Sequence, residues 1–360
     1  MKPTKNNISR TYVLRDKPLF GLDIGHDMLR VVQFETDRAI PRMMGYGSIL
    51  FDDSAIVDGV IVRPELIAKS AYKLFSQELE GDVSTRRVAV SVPVSRALTR
   101  AVKLPLMSAH DIAEAVYNDA EQNIPADIEN LYLDYTTLRQ NDDGLEVFVV
   151  AVPKAIVDSY MVLMQLLGLE TVMLDTTIGA SARLFSRDPQ GNVPTVLVDF
   201  GAKSTDITIV RGEPVVTGTV AYGGDDVTTT IVKALGISER QAVILKSKYG
   251  LASGPVQDQV VSAIAPSLET LVREIRRTIR YYEQRYTSEP AIEQVVIMGG
   301  GANMPGMAER LTEQLRLPVR SLDMTTMVDF GHLKHIMGAD RMSYVTAAGL
   351  ALASPQGLFV

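Results

Sequence analysis

Short apolar runs that stop at polar or glycine turns alternate along this chain with stretches whose apolar residues recur every three or four positions. The first kind reads as strand, the second as helix. Phe20 to Phe34 (FGLDIGHDMLRVVQF) is two apolar runs around Gly25, His26 and Asp27, which predicts a strand hairpin over 19–36. Arg42–Phe51 predicts a further strand. Pro64–Leu79 carries Leu66, Ile67, Ala71, Leu74 and Phe75 at helical spacing, and Pro64 suits a first helical turn. Val88–Val92 and Leu98–Leu104 read as strands stopped by Pro93 and Pro105. Ser108 is placed to cap a helix through Ile112 and Val116. Tyr132–Thr137 and Leu145–Val152 read as two strands, and Lys154–Leu167 as a helix ended by Gly168. A strand at Val172–Asp175 and a helix at Thr176–Phe185 follow.

The second half opens on Val196 to Val210 (VLVDFGAKSTDITIV), which repeats the first hairpin. An apolar strand again ends in Asp, at Asp199 as at Asp23. Gly again stands two residues on, at Gly201 as at Gly25. A strand over Val215–Tyr222 is closed by Gly223 and Gly224, and Asp225 or Asp226 is placed to cap the helix through Ile231 and Leu235. Ser238 caps a helix that carries Lys246. The longest predicted helix, Asp258–Arg285, has Val261, Ile264, Leu268, Leu271, Ile275, Ile279 and Tyr282 on one face. Val295–Met298 is a strand that runs into Gly299, Gly300 and Gly301, with Asn303 beyond and a helix start near Pro305. Tyr344–Leu352 is a final apolar helix.

One Asp-x-Gly hairpin alone reads as well as an ordinary surface turn. Two of them suggest two similar halves facing each other, with a polyphosphate shared between the turns. Asp23 and Asp199, at strand ends, are placed to hold Mg²⁺ through water. The glycines permit close backbone approach and a nest of amides for an anion. Lys203, Ser204 and Thr205 add donors from the second turn.

Composition narrows the chemistry. The absence of cysteine excludes disulfides and thiolate metal sites, and four histidines are too few for a histidine-rich zinc site. A net charge of −7 argues against broad phosphate-backbone binding, so no nucleic acid is expected. No apolar run approaches the roughly 18 residues a membrane span requires. A cytoplasmic protein is the expectation, unless a partner carries it elsewhere.

Five stretches carry a resemblance that covers about Leu19 to Ala353: GLDIGHDMLRVVQF, AEQNIPADIENLYLDY, VLVDFGAKSTDITIV, VAYGGDDVT and VVIMGGGANMPGM. The chain resembles the actin-like ATPase superfamily of sugar kinases, heat-shock chaperones and FtsA, and within it the PilM family of type IV pilus assembly. The stretch Glu121–Tyr135 separates that family from chaperones and kinases.

The resemblance implies an α/β fold of two lobes around a nucleotide cleft, with an inserted subdomain of the FtsA and PilM type. It places a flexible segment at 1–18, the first lobe at 19–85 and 171–193, the insert at 86–170 and the second lobe at 194–342. The helix at 343–354 either returns to the first lobe or packs in the second. It implies ATP and Mg²⁺ as ligands, with Gly25, His26, Arg30, Gly201, Gly223, Gly224, Lys246, Gly299, Gly300, Gly301 and Asn303 near the nucleotide. It offers Asp175 as a water-positioning group and one of Arg273, Arg276 or Arg277 beside the base.

His26 and Asp27 stand where the wider family has small hydroxyl residues, so hydrolysis is expected to be slow, with Asp27 pointing outward. The implied partner is the cytoplasmic N-terminal peptide of a PilN-like single-pass inner-membrane protein, docked on Val88–Pro105 and Glu121–Asp134. The resemblance also offers pilus assembly ATPases and further copies of the chain as candidate partners. The alternatives are an FtsA-like filament component, against which the short neutral end LASPQGLFV argues, a small-molecule kinase, and a scaffold without nucleotide.

Overall fold

The computed structural model describes residues 18–142, 144–252, 257–334, 336 and 338–353. The segment expected to be flexible lies outside these residues except for residue 18, as does the chain end beyond 353.

Two sheets of matching design frame the molecule. In the first, β1 (Phe20–Ile24), β2 (Met28–Glu35) and β3 (Arg42–Leu50) form an antiparallel meander. A two-stranded ribbon, β4 (Ile56–Val57) and β5 (Val60–Ile61), leads to α1 (Pro64–Gln77), and β6 (Leu79–Gly81) closes the far edge of the sheet. On the other side of β1, β7 (Arg87–Val92) and β11 (Glu170–Thr176) add in parallel. The second sheet repeats this order. Its meander is β12 (Thr195–Phe200), β13 (Thr205–Arg211) and β14 (Glu213–Val220), and its parallel additions are β15 (Gln294–Met298) and β16 (Val319–Ser321).

This pairing moves one boundary. The strand at 87–92 was assigned to the insert, but it lies between β1 and β11 with all six residues buried. The helix at its other end, α3 (Lys154–Leu166), buries Ile156, Tyr160, Leu163 and Met164 in the same cluster as Phe20, Leu22, Val88 and Val90. Both therefore belong to the first lobe. The inserted unit is the three-stranded sheet β8 (Leu98–Leu104), β10 (Gly144–Pro153) and β9 (Leu131–Asn141), in that order, with α2 (Ala109–Asn123) packed on it through Ile112 and Val116. Ser108 caps α2 as expected, accepting from the Asp111 amide.

The insert also leans on the second lobe. Tyr286 donates its hydroxyl proton to buried Glu146 at 2.7 Å, and Arg211 pairs with Glu289 at 3.1 Å. Arg139 joins Glu289 from the insert, and Arg285 donates to the Ala101 carbonyl at 2.8 Å.

In the second lobe α5 (Gly224–Leu235), α6 (Glu239–Lys248), the long α7 (Gln257–Arg285) and α8 (Met307–Leu315) cover the sheet. Ile264, Leu268, Leu271, Ile275 and Tyr282 bury the inner face of α7, at the spacing read from the sequence. The cap of α5 differs from expectation. Gly223 is the N-cap residue, and the Asp226 carboxylate reaches back to accept from its amide at 2.9 Å. The helix near Pro305 begins at Met307.

The last helix, α9 (Val345–Ala351), returns to the first lobe. It lies between β1 and α4 (Thr177–Phe185), with every one of its residues buried. Small residues make that possible. A Cβ on Gly349 would lie 1.8 Å from the Ala180 carbonyl oxygen, and one on Gly21 would lie 2.1 Å from that of Ala347. Backbone here packs directly on backbone, so a methyl group has nowhere to go. Gly349→Ala should therefore cost about 3 kcal/mol of stability or more. Gly168→Ala, at a left-handed residue with no neighbour near its Cβ, should cost only about 1 kcal/mol. Urea denaturation of the two variants checks the contrast, and equal costs would contradict this account of α9.

Candidate functional site

A cleft of about 910 Å³ lies between the lobes, at the upper end of the roughly 300–1,000 Å³ usual for small-molecule sites. The carboxyl ends of β1, β12 and β15 meet it, where open α/β sheets place their ligands. Asp23 and Asp199 enter from opposite lobes, followed by the hairpins of Gly25 and Gly201. His26, Arg30, Lys203 and Ser204 line it as well. Gly299, Gly300, Gly301 and Asn303 form one wall, with Gly224 and Lys246 beside them.

The remaining expected residues lie elsewhere. Thr205 is buried in the sheet and donates its hydroxyl proton to the Tyr222 carbonyl at 2.7 Å. Gly223 packs on Ala202, where a Cβ would lie 2.3 Å from the carbonyl oxygen. Asp175 is outside the residues that line the cleft, held by Arg183 at 2.6 Å and by the Thr176 amide at 2.7 Å. Arg273, Arg276 and Arg277 stand on α7 away from the cleft. Asp27, expected to face outward, is among the residues that line it.

The turns use their glycines in a particular way. Gly25 and Gly201 donate their own amides back across the hairpin, to Met28 and Ser204, each at 2.9 Å. Their role is thus to form the turn, and an anion would be held by amides further along it. The three glycines at the wall are not equivalent. A Cβ would lie 2.3 Å from the Asp199 carboxylate at Gly299 and 1.6 Å from the Phe200 ring at Gly301. At Gly300 the nearest atom is Ser343 Oγ at 3.6 Å. Gly299 and Gly301 are required by the fold, whereas Gly300 leaves free space in the cleft.

The electrostatics are those of a site short of positive charge. Asp23 is buried, which raises its pKa, while Arg30 at 3.5 Å and a hydroxyl proton from Ser91 at 2.7 Å oppose the rise. Asp199 is pushed up to about 7, by burial first and then by the charges of Asp206 and Asp23. Asp206 was missed in the sequence reading. It lines the cleft, and burial pushes it up to about 6 against a hydroxyl proton donated by Thr219 at 2.6 Å. Its signal was present: Asp206 pairs with Asp199 across its hairpin as Arg30 pairs with Asp23 across the other. The two halves thus differ in the sign of one equivalent residue.

This donor set fits a hydrated divalent cation. Three carboxylates share a desolvated space and would each gain from a cation. Among the described residues no three ligating side chains converge on one point, so its contacts would run through water. The donors also fit a polyphosphate. Arg30 Nε and His26 Nε2 are buried and have no hydrogen-bond partner. Lys246 gives two of its three N–H bonds, to the Gly224 carbonyl and Thr228 Oγ1 at 2.8 Å each, and burial lowers its pKa. Lys203 instead pairs with Asp225 at 3.0 Å.

Asp206 carries a prediction. Its folded pKa of about 6 exceeds the unfolded value of about 3.9. Between those values the folded chain binds more protons, so stability falls as pH rises from about 4 to 6 and stays lowered above. Asp206→Asn keeps an acceptor for Thr219 and removes the charge. The residue is partly exposed, which screens part of the effect, so the gain at pH 8 should be ~1 kcal/mol, vanishing near pH 4. Melting curves across that range check it, and a gain independent of pH would overturn the assignment.

Comparison with known proteins places the fold. Residues 21–355 match the family model described as type IV pilus assembly protein PilM. Among solved structures, the PilM-PilN type IV pilus biogenesis complex superposes with a TM-score of 0.80 at 23% identity, over 93% of this chain and 98% of the other. MreB5 of Spiroplasma citri bound to AMPPNP superposes at 0.53 and 12% identity, over 93% and 95% of the two chains. The cell division protein FtsA of Streptococcus pneumoniae serotype 2 (strain D39 / NCTC 7466) is 23% identical over 83% of this chain and 74% of its own length. The two-lobed architecture around a cleft is the actin-like ATPase fold, and with nearly its whole length matched, the chain belongs to the PilM family of type IV pilus assembly proteins.

Proposed function

We propose that this protein is a nucleotide-responsive adaptor of type IV pilus assembly, which binds ATP with Mg²⁺ between its lobes and takes the N-terminal tail of a PilN-like membrane protein beside its insert. The observation that supports it best is the pair of equivalent hairpins, Asp23 with Gly25 and Asp199 with Gly201, facing one cleft beside three glycines. Asp23 and Asp199 would hold the hydrated cation from opposite lobes. Arg30 offsets their charge, and Lys246 offers its remaining N–H to a nucleotide. Space at Gly300 suits the flat nucleoside. Bound Mg²⁺·ATP would supply a charged tie between the lobes and a hydrolysable phosphate. Asp175 is tied to Arg183, which leaves the cleft without that water-positioning group and agrees with slow turnover.

The partner surface narrows. Val88–Val92 is core and cannot receive a peptide. What remains is the entry to the insert from Pro93 to Pro105 and the stretch 121–134. There, on the adjoining α2 and in the turn before it, Leu98, Tyr132, Tyr117 and Leu106 are large apolar side chains left exposed. An extended tail would fill such apolar positions with alternate side chains. No helix among the described residues is long and apolar enough to cross a membrane, so a membrane partner would supply the attachment.

Two outcomes test this reading. Gly300→Leu should weaken ATP binding at least tenfold by calorimetry while the melting temperature stays within a few degrees of the parent, since the new side chain enters free space. Unchanged affinity in the folded variant would remove the nucleoside from this wall. A peptide covering the cytoplasmic start of the PilN-like partner should bind with roughly micromolar affinity, because a disordered tail loses entropy on docking. Hydrogen exchange should show its protection on 93–105 and 121–134, and protection confined to the second lobe would refute the docking site.

A further inference from the structure

Tyr160 lines the cleft and carries a hydroxyl that neither the fold nor the nucleotide reading above has used. It lies on α3, is 1% exposed, and is among the largest side chains fully buried in the protein. Its ring packs in the apolar cluster of the first lobe, with Leu22, Val90 and Ile156. Its other end lines the cleft, as do Asp23, Pro93 and Thr177. Among the described residues its hydroxyl has no hydrogen-bond partner. Its oxygen is not among the buried polar atoms closed off from solvent, so it faces the cleft, where a hydroxyl is hydrated in the free protein and can exchange that water for a ligand oxygen. A phenylalanine would fill the same core position without offering the cleft a donor. Burial, and after it the charge of Asp23, hold the phenol above its ordinary pKa, so it is a neutral proton donor at any physiological pH.

The position of α3 gives the hydroxyl a second consequence. The helix begins where β10 leaves the insert, at Pro153 and Lys154. Within it Asp158 accepts from the Tyr132 hydroxyl at 3.0 Å, and the Lys154 ammonium stands 5.5 Å over the Tyr132 ring. Ser159 Oγ accepts from the Ile61 amide at 3.0 Å. The turn of α3 next to Tyr160 is therefore fastened both to the insert and to the ribbon of β4 and β5.

We infer that Tyr160 is a ligand-contacting residue, donating its hydroxyl proton to a water of the cation held at Asp23 or to the terminal phosphate, and through α3 tying occupancy of the cleft to the insert. This rests on the proposal that Mg²⁺·ATP binds here. A cation or phosphate at Asp23 would supply the acceptor that the fold does not. The contact exists only in the bound state, so it contributes differential affinity and can shift α3.

Tyr160→Phe removes one oxygen and keeps the ring. The free variant should be as stable as the parent, because the hydroxyl makes no hydrogen bond inside the fold. Its affinity for ATP in the presence of Mg²⁺ should fall about fivefold to twentyfold by calorimetry. In hydrogen exchange, the protection that Mg²⁺·ATP gives to α3 and β9 in the parent should be lost at saturating nucleotide. A parent protein that binds no ATP would defeat the nucleotide reading itself, and this inference with it. A parent that binds while Tyr160→Phe binds equally well, with the same protection of α3, would overturn the inference alone. A variant with a markedly lower melting temperature would also overturn it, by showing that the hydroxyl is satisfied inside the fold.

Discussion

Two acids that repel each other face across the cleft, and the rest of the molecule depends on holding them there. Asp23 and Asp199 each end a strand that lies inside a sheet, with a parallel neighbour on one side and an antiparallel one on the other. The backbone that carries each acid cannot shift without breaking register along its strand. What resists their repulsion is apolar contact behind them. Val32, Phe34 and Phe185 of the first lobe share one buried cluster with Leu197, Val210, Val296 and Met298 of the second. One face of each hairpin thus does both jobs, with its acid at the cleft end of the strand and its apolar residues, further back on the same face, joining the lobes. Desolvation raises the pKa of both acids, and that cost is tolerated because the shared core is broad.

The repeat of five strands explains why the site has two similar sides, and its broken symmetry explains their different work. Both hairpins present an acid and, opposite it in register, a second charged residue. In the first lobe that residue is Arg30, a counter-charge; in the second it is Asp206, a further acid. A carboxylate beside Arg30 stays more readily ionised than one beside Asp206. The first side is therefore suited to an anion near its arginine, and the second to a cation. Two matching arginines would have favoured a bare anion, and two matching acids a bare cation. One of each suits a ligand that carries both, as a metal-bound polyphosphate does.

Local periodicity made most of this legible. The hairpins, the caps at Ser108 and Ser238 and the inner face of α7 follow from spacing and turn residues within a few positions. The position of β7 does not. A strand buried on both faces shows no alternation, so Arg87–Val92 cannot announce which sheet it joins. Its partners lie some way off in sequence on either side, at β1 and β11. The site was legible to the extent that backbone shape made it. Glycines and strand-end acids marked the cleft, while partners set by tertiary contact were hidden. Lys203 turns to Asp225 and Asp175 to Arg183.

The insert completes the mechanical picture, because it belongs to neither lobe alone. Its chain enters and leaves through the first lobe, at the ends of β7 and α3. Its polar side is fastened to the second, through Glu146, Tyr286, Arg211, Arg139 and Glu289. These contacts differ in character. The apolar core of the insert, Val102, Ile112, Val116 and Val147, is its own. The fastening is made of ion pairs and hydrogen bonds, of which the exposed members contribute little each. Glu146 and the Tyr286 hydroxyl are buried and cannot be separated without leaving a charge unpaired. A change in the angle between lobes would therefore have the insert move as a rigid unit. Its far side is held to the second lobe, and its near side to α3 of the first through Tyr132 and Asp158. The surface where an extended tail would lie thus borders contacts of the insert with both lobes, and a change in the angle between them would bear on that surface.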